Sequence, residues 1–231
     1  MREIVFDTET TGLSFSNGDR LVEIGCVELV NRVETGRTFH AYFNPERPMA
    51  AEAQAIHGLS DIFLSDKPVF ADMAEHLIEF IADSPLIAHN ANFDFGFLNG
   101  ELGRCGRVTV AMDRMVDTLT LARSRFPGAK HSLDALCSRF GVDRSHRVLH
   151  GALLDAQLLA QVYVELTGGR QIGLTLAIET TSDIDAAAKP VAPAVARPPR
   201  HFAPSADELE RHRAFLAGLT NPLWGEVTAS G

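Results

Sequence analysis

Apolar residues recur along the first 168 positions in two different periods. Ile4, Val5 and Phe6 form a short apolar run that ends in acids, which predicts a strand over 3–7. Positions 21–30 and 35–43 read as two further strands, with the Val-Asn-Arg-Val-Glu-Thr-Gly stretch between them as a hairpin loop. Phe70, Met73, Ala74, Leu77, Ile78 and Ile81 return at helical spacing, so an amphipathic helix is predicted over 70–82. A short buried strand follows at 86–88. Helical patterns then occupy 92–102, 116–125, 132–140 and 151–166. Three antiparallel-looking strands followed by alternating helices and strands predict an α/β fold, a mixed sheet flanked by helices.

The pattern fades near residue 169. Positions 183–204 hold five of the eleven prolines and seven alanines, with few large apolar side chains to offset ordering entropy. This stretch reads as an extended linker. The pattern returns at Ser205-x-x-Glu208, a capping-box sequence opening a helix to about Gly218. Leu209, Phe215, Leu216 and Leu219 give it an apolar side, and Trp224 lies just beyond. The expected organisation is a domain over 1–168, a flexible linker over 169–204 and a small terminal segment over 205–231.

Composition changes this picture little, but charge sharpens it. The 231 residues are 45% hydrophobic and 22% charged, which is ordinary for a globular protein. The formal charge is −9, and −8 of it lies in residues 1–168. An acidic domain is a poor general binder of polyanions, because nucleic-acid affinity comes mainly from Lys and Arg on phosphates. An enzyme that meets phosphates through metal ions escapes that argument. Cys26, Cys105 and Cys137 are far apart and form no CxxC pair, so neither a disulfide framework nor a cysteine zinc site is indicated. The opening residues do not resemble a signal peptide, and no run of ~18 apolar residues exists. A soluble cytoplasmic protein is expected.

Three groups of residues could carry chemistry. Asp7 and Glu9 stand at i and i+2 at a strand end and point to one face. Unpaired, they would raise each other's pKa; a divalent ion with oxygen ligands would remove that cost. Thr10, Thr11 and Gly12 follow as a small turn through which a phosphate or sugar could reach the backbone. Asp94 falls in the first turn of the 92–102 helix, with Asn92 as a candidate cap. Phe93 and Phe97, at i and i+4 there, are expected in the core. His150 and Asp155 would stand ~140° apart if both were helical. If His150 precedes the helix and Gly151 opens it, both reach one cavity, and the helix N-terminus helps keep His150 neutral. Each group alone also suits a plain structural role: a solvated strand end, an acid favouring a helix N-terminus, a hydrogen-bonded histidine.

The combination is specific. Asp7-Thr-Glu-Thr-Thr-Gly12, Leu21-Val-Glu-Ile-Gly25, His89-Asn-Ala-Asn-Phe-Asp94, Ser132-Leu-Asp-Ala-Leu-Cys137 and His150-Gly-Ala-Leu-Leu-Asp-Ala-Gln157 resemble the DEDDh branch of the DnaQ-like 3′–5′ exonucleases, in particular the proofreading subunits of bacterial DNA polymerase III. The resemblance spans residues 2–168 and extends to the tail in outline. It implies an RNase H-like exonuclease fold with a five-stranded mixed sheet. It also implies a pair of Mg²⁺ or Mn²⁺ ions held by Asp7, Glu9 and Asp155, with Asp94 reaching the second through water, and His150 as general base. Glu52 and His57 match positions that contact the terminal nucleotide, beside the Thr10–Gly12 turn. Two ions held by four carboxylates suit phosphodiester hydrolysis on chemical grounds as well.

The resemblance extends to partners. Gln171, Leu174 and Leu176 match the short motif with which replication proteins plug into the sliding clamp, and the tail would anchor on the polymerase alpha subunit. A small third core subunit is a further candidate partner. The nearest alternative is a DEDDh exoribonuclease or oligonucleotide trimmer; a silent scaffold is disfavoured by the full set of four acids and a histidine.

Overall fold

A computed structural model describes residues 1–145, 147, 149–169 and 203–220. The clamp-like motif at 171–176 and Trp224 lie outside these residues. The chain divides into two compact units, Met1–Leu176 and Ala177–Gly231.

The first unit is built on five strands: β1 (Arg2–Thr10), β2 (Leu21–Val30), β3 (Val33–Tyr42), β4 (Leu86–Ala88) and β5 (Met115–Asp117). Their order is β3-β2-β1-β4-β5. The β1–β2 and β2–β3 pairs are antiparallel, while β1–β4 and β4–β5 are parallel. Among the described residues, seven α-helices flank the sheet: α1 (Ala51–His57), α2 (Asp61–Leu64), α3 (Phe70–Ile81), α4 (Ala91–Arg104), α5 (Thr118–Arg125), α6 (Leu133–Phe140) and α7 (Ala152–Leu166). The mixed sheet flanked by helices agrees with the expectation from the pattern.

Strand alternation assigns the two faces of β1. Ile4 and Phe6 pack into a cluster with Phe70, Leu77, Phe95 and Leu98 of α3 and α4. Val5 joins Val27, Leu29, Leu159 and Tyr163, so α7 covers the other face. Glu3, Asp7 and Glu9 share the face of Val5 by their period of two. The Tyr163 hydroxyl donates to Glu3 Oε1 at 2.7 Å. Because Tyr163 sits at one end of β1 and the start of α7 lies against Gly25, opposite Asp7, α7 runs antiparallel to β1.

Several boundaries differ from the pattern's expectation. Strand β1 runs on to Thr10, because its pairing with β2 continues across an irregularity at Glu9 and Thr10. The expected seven-residue hairpin loop is a two-residue turn: Asn31 and Arg32 take φ of 52° and 65°, which lets Val33 pair with Val30. Where a helix was expected from 116, residues Met115–Asp117 pair with β4, and the helix begins after them. Asn92 does not cap α4. The helix opens one residue earlier, and Asp117 from the end of β5 accepts from the Asn90 and Ala91 amides at 3.0 and 3.3 Å. Phe97 is buried as expected, but Phe93 is only partly covered and lines the site. Helices α1 and α2 were not anticipated. The three cysteines are free, and among the described residues no helix is long and apolar enough to cross a membrane.

In the second unit, α8 (Ala206–Ala217) has the expected capping box, with the Glu208 amide donating to Ser205 Oγ and the Ser205 amide to Glu208 Oε2.

Candidate active site

Strands β1, β4 and β5 run parallel, and their carboxyl ends open on one edge of the sheet, where open α/β sheets place their sites. Asp7 and Glu9 lie at that end of β1. Asp94 stands in the first turn of α4 and Asp155 in the first turn of α7. Gly151 caps α7, so His150 falls just ahead of the helix, at its positive end. All five side chains line one cavity of about 700 Å³, together with His89, Asn90, Phe93, Arg123, His131 and Arg147.

Within the cavity, Glu9, His150 and Asp155 bring ligand atoms to within 4.8 Å of one another. His150 Nδ1 is 3.2 Å from Asp155 Oδ2. The Thr8 hydroxyl donates to Asp94 Oδ1 at 2.7 Å and fixes its orientation. Glu9, Asp94 and Asp155 are buried.

Acids so placed repel one another. Burial, then the Asp94 and Glu9 charges, holds Asp7 well above the ordinary carboxylate range. Burial pushes Glu9 up to about 8, with Glu23, Asp155 and Asp94 adding to it and Arg147 opposing. Burial also raises Asp94, against the pull of the Thr8 hydroxyl. Such a cluster is stable as carboxylates only with added positive charge, and its all-oxygen donor set fits hard divalent ions. Arg147 supplies part of that charge. Its Nε donates to Asp155 Oδ1 at 2.5 Å and its Nη2 to Oδ2 at 2.7 Å.

A second pocket of about 390 Å³ adjoins the first, sharing Thr8, Glu9 and Phe93. Thr10, Gly12, Leu13, Glu52, Ile56 and His57 complete its wall. The structure therefore gathers the expected Thr10, Gly12, Glu52 and His57 beside the acids. Thr11 is turned inward: it is fully buried and accepts from the Arg20 amide at 3.0 Å. His57 Nδ1 accepts from the Leu59 amide at 3.0 Å, which leaves the ring proton on Nε2. That Nε2 is buried and has no hydrogen-bond partner among the described residues. Burial lowers the His57 pKa, against the opposing effect of the Thr10 backbone.

Sequence reasoning gave no role to three residues here, although two of them, Glu23 and Gly25, stand in the quoted Leu21–Gly25 motif. Glu23 pairs with Glu9 across the β1–β2 ladder and is held by His40 Nε2 at 2.8 Å. Gly25 faces Asp7 in the same ladder; a glycine inside a strand is the signal that could have flagged it. Arg147 gave no signal, since it lies in a loop.

A sheet of this order, with buried acids converging at the carboxyl ends of its parallel strands, defines a carboxylate-dependent nuclease. The exonuclease family model matches residues 4–163. The DNA polymerase III subunit epsilon of Rickettsia felis is 50% identical over 222 residues, covering 95% of this chain and 97% of that protein. The subunit of Escherichia coli K12 is 46% identical over 185 residues, covering 77% and 76%. Among solved structures, exonuclease X in complex with 5′ overhanging duplex DNA has a TM-score of 0.55 at 27% identity, covering 71% of this chain and 90% of that one. The nuclease domain of 3′hExo, a DEDDh family member, has a TM-score of 0.62 at 16% identity, covering 72% and 91%, and shows the shared fold alone. The chain belongs to the exonuclease family and, within it, to the epsilon subunits of DNA polymerase III. Its fold is RNase H-like, and its activity is that of a metal-dependent 3′–5′ proofreading exonuclease.

Proposed function

We propose that this exonuclease hydrolyses the terminal phosphodiester of a DNA 3′ end at the acid cluster. In this reading Asp7, Glu9 and Asp155 would hold two divalent ions, Mg²⁺ or Mn²⁺, and Asp94 would complete the set. When bound, the ions supply charge stabilisation at phosphorus and at the leaving oxygen, and lower the pKa of a water. His150 takes the proton of the attacking water. His150 Nδ1 lies 3.2 Å from Asp155 Oδ2, ahead of the first turn of α7. Thr10, Gly12, Glu52 and His57 receive the terminal nucleotide in the adjoining pocket, which leaves as a nucleoside 5′-monophosphate. A mismatched end costs less to unpair than a matched one, and this supplies selectivity.

The observation that carries this reading is the burial of Glu9, Asp94 and Asp155 around one cavity that His150 also lines. The test is digestion of a 3′-mismatched DNA primer. Nucleoside monophosphates should appear with Mg²⁺ or Mn²⁺, disappear with a chelator, and disappear in Asp7→Ala. Undiminished digestion by Asp7→Ala sinks the assignment, and much faster degradation of an RNA end favours the oligonucleotide-trimmer alternative.

The same reading gives the chain its organisation as a cytoplasmic replication protein. Residues 1–168 are the catalytic domain, 169–204 a linker with Gln171, Leu174 and Leu176 as the clamp contact, and 205–231 the anchor on the polymerase alpha subunit. A small third core subunit completes the assembly. The exposed Phe215 and Leu219 of the terminal segment support the anchor. A tether raises the local concentration of the exonuclease at the primer end.

A further inference from the structure

Among the described residues, Arg147 is the one side chain that binds three ionisable groups of the cavity at once. Its Nε and Nη2 take both oxygens of Asp155, at 2.5 and 2.7 Å. The same Nη2 lies 2.8 Å from His150 Nδ1, so a guanidinium hydrogen points at that nitrogen. Its Nη1 donates to Asp134 Oδ1 at 2.9 Å. The side chain is only 10% exposed, although it comes from the loop between α6 and α7. A fork on both oxygens takes about two of the four lone-pair sites of Asp155 and sets a positive charge where a cation would bind. Guanidinium and metal therefore compete for Asp155.

We propose that Arg147 exchanges partners during the reaction cycle: it holds Asp155 while no divalent ion is bound, and moves to a phosphate oxygen of the terminal nucleotide when an ion takes Asp155. This rests on the acid cluster being the metal site. The charge count favours it. Asp7, Glu9, Asp94, Asp134 and Asp155 line the cavity with Arg123 and Arg147, so two divalent ions leave a net charge of +1, which one phosphodiester neutralises. Release is made cheaper at the other end of the fork. Asp134 Oδ1 also lies 2.9 Å from Arg144 Nη1, so Asp134 keeps a cation when Arg147 leaves. Displaced from Asp155, Arg147 still borders the same cavity, whose wall also carries Arg123 and His131. A fork of donors matches a phosphate as well as it matches a carboxylate.

The test uses the full chain and two binding measurements. Mn²⁺ is titrated by the electron paramagnetic resonance of the free ion, first without nucleotide. Arg147→Gln should bind Mn²⁺ about tenfold more tightly than wild type, because both a competitor and a repelling charge are gone. With Mn²⁺ saturating, dTMP should then bind about tenfold more weakly to the variant. Mn²⁺ affinity that is equal or lower in Arg147→Gln overturns the exchange, and so does unchanged dTMP affinity. If the glutamine variant does not fold, Arg147→Lys, which keeps the charge but loses the fork, should show both changes at smaller size. Asp155→Asn separates the two levels of argument: if it retains wild-type Mn²⁺ binding, the metal-site reading itself fails.

Discussion

Gly25 on β2 touches the backbone of Leu153 at the start of α7 so closely that a Cβ at Gly25 would lie 2.2 Å from the Leu153 nitrogen and 2.3 Å from its Cα. Asp7 stands opposite Gly25 in the ladder, and Asp155 is two residues beyond Leu153. The missing side chain is thus what lets the first turn of α7 settle on the sheet and bring Asp155 to Glu9. Local backbone packing and the assembly of the acid cluster are one event.

Gly25→Ala should therefore harm activity more than stability. The added methyl must push α7 away from β2, an overpacking cost of about 1–3 kcal/mol. A shift of even ~1 Å at Asp155 should lower kcat on the order of a hundredfold. Thermal unfolding and exonuclease rate on the same preparation check this. A variant with a lowered Tm and an unchanged rate would show that α7 can move without carrying Asp155 out of place.

Much of this frame was legible because it follows from period. Alternation placed Asp7 and Glu9 on one face, and the 3.6-residue spacing located α3, α6 and α7 to within a residue or two. What escaped was information that no local period holds. Strand β5 is three residues long and joins directly to a helix, so its apolar residues read as helical. Glu23 faces Glu9 only through register, which needs both strands at once. Helix α1 is seven residues with three alanines and little apolar side-chain bulk to mark a face. Arg147 comes from a loop, where spacing predicts nothing.

The raised carboxylates give metal-free protein an unusual pH dependence. Glu9 moves from an ordinary 4.5 to about 8, so the folded state holds a proton that the unfolded state has lost. The stability this represents is complete below pH ~4.5 and is lost as pH rises through 8. His57 and His89, both lowered by burial, act in the opposite sense but only near and below their ordinary value of 6.5. Between pH 7 and 8.5 the acids dominate, and Glu9 alone should cost about 1 kcal/mol. Urea unfolding in a chelating buffer at the two pH values should show lower stability at 8.5. Saturating Mg²⁺ should abolish the difference, and calorimetry in buffers of different ionisation enthalpy should detect protons released as the ion binds. Equal stability at both pH values in the chelating buffer would contradict the raised acids.

His57 carries a buried Nε2–H with no hydrogen-bond partner among the described residues, in the wall of the smaller pocket. Left unmade, such a hydrogen bond costs about 1–3 kcal/mol. A nucleotide oxygen would satisfy it. His57→Leu removes that unmet donor but also the acceptor of the Leu59 amide, so the Tm of the free protein should change little, while KM should rise about tenfold. The split between Tm and KM is the readout, since a purely structural histidine would lower Tm and leave KM alone.

The terminal helix α8 presents Leu209 and Phe215 to solvent, and Leu219 follows just beyond it, at 40, 61 and 41% exposure. Twelve residues bury too little to be stable alone, and the capping box contributes only about 1 kcal/mol. An aromatic on such a helix acts as an anchor when it fills a partner's pocket, with a truncation cost of roughly 2 kcal/mol or more. Phe215→Ala should thus weaken binding to the polymerase alpha subunit about thirtyfold, measured by calorimetry with the full chain. Digestion of a single-stranded end by the isolated protein should not change, because Phe215 lies outside the catalytic unit. Ser205→Ala, which removes the cap without touching the apolar side, should weaken the complex by a smaller factor through the cost of ordering the helix. If both variants bind the polymerase subunit like wild type, the anchor lies elsewhere in the chain, and the apolar side of α8 needs another explanation.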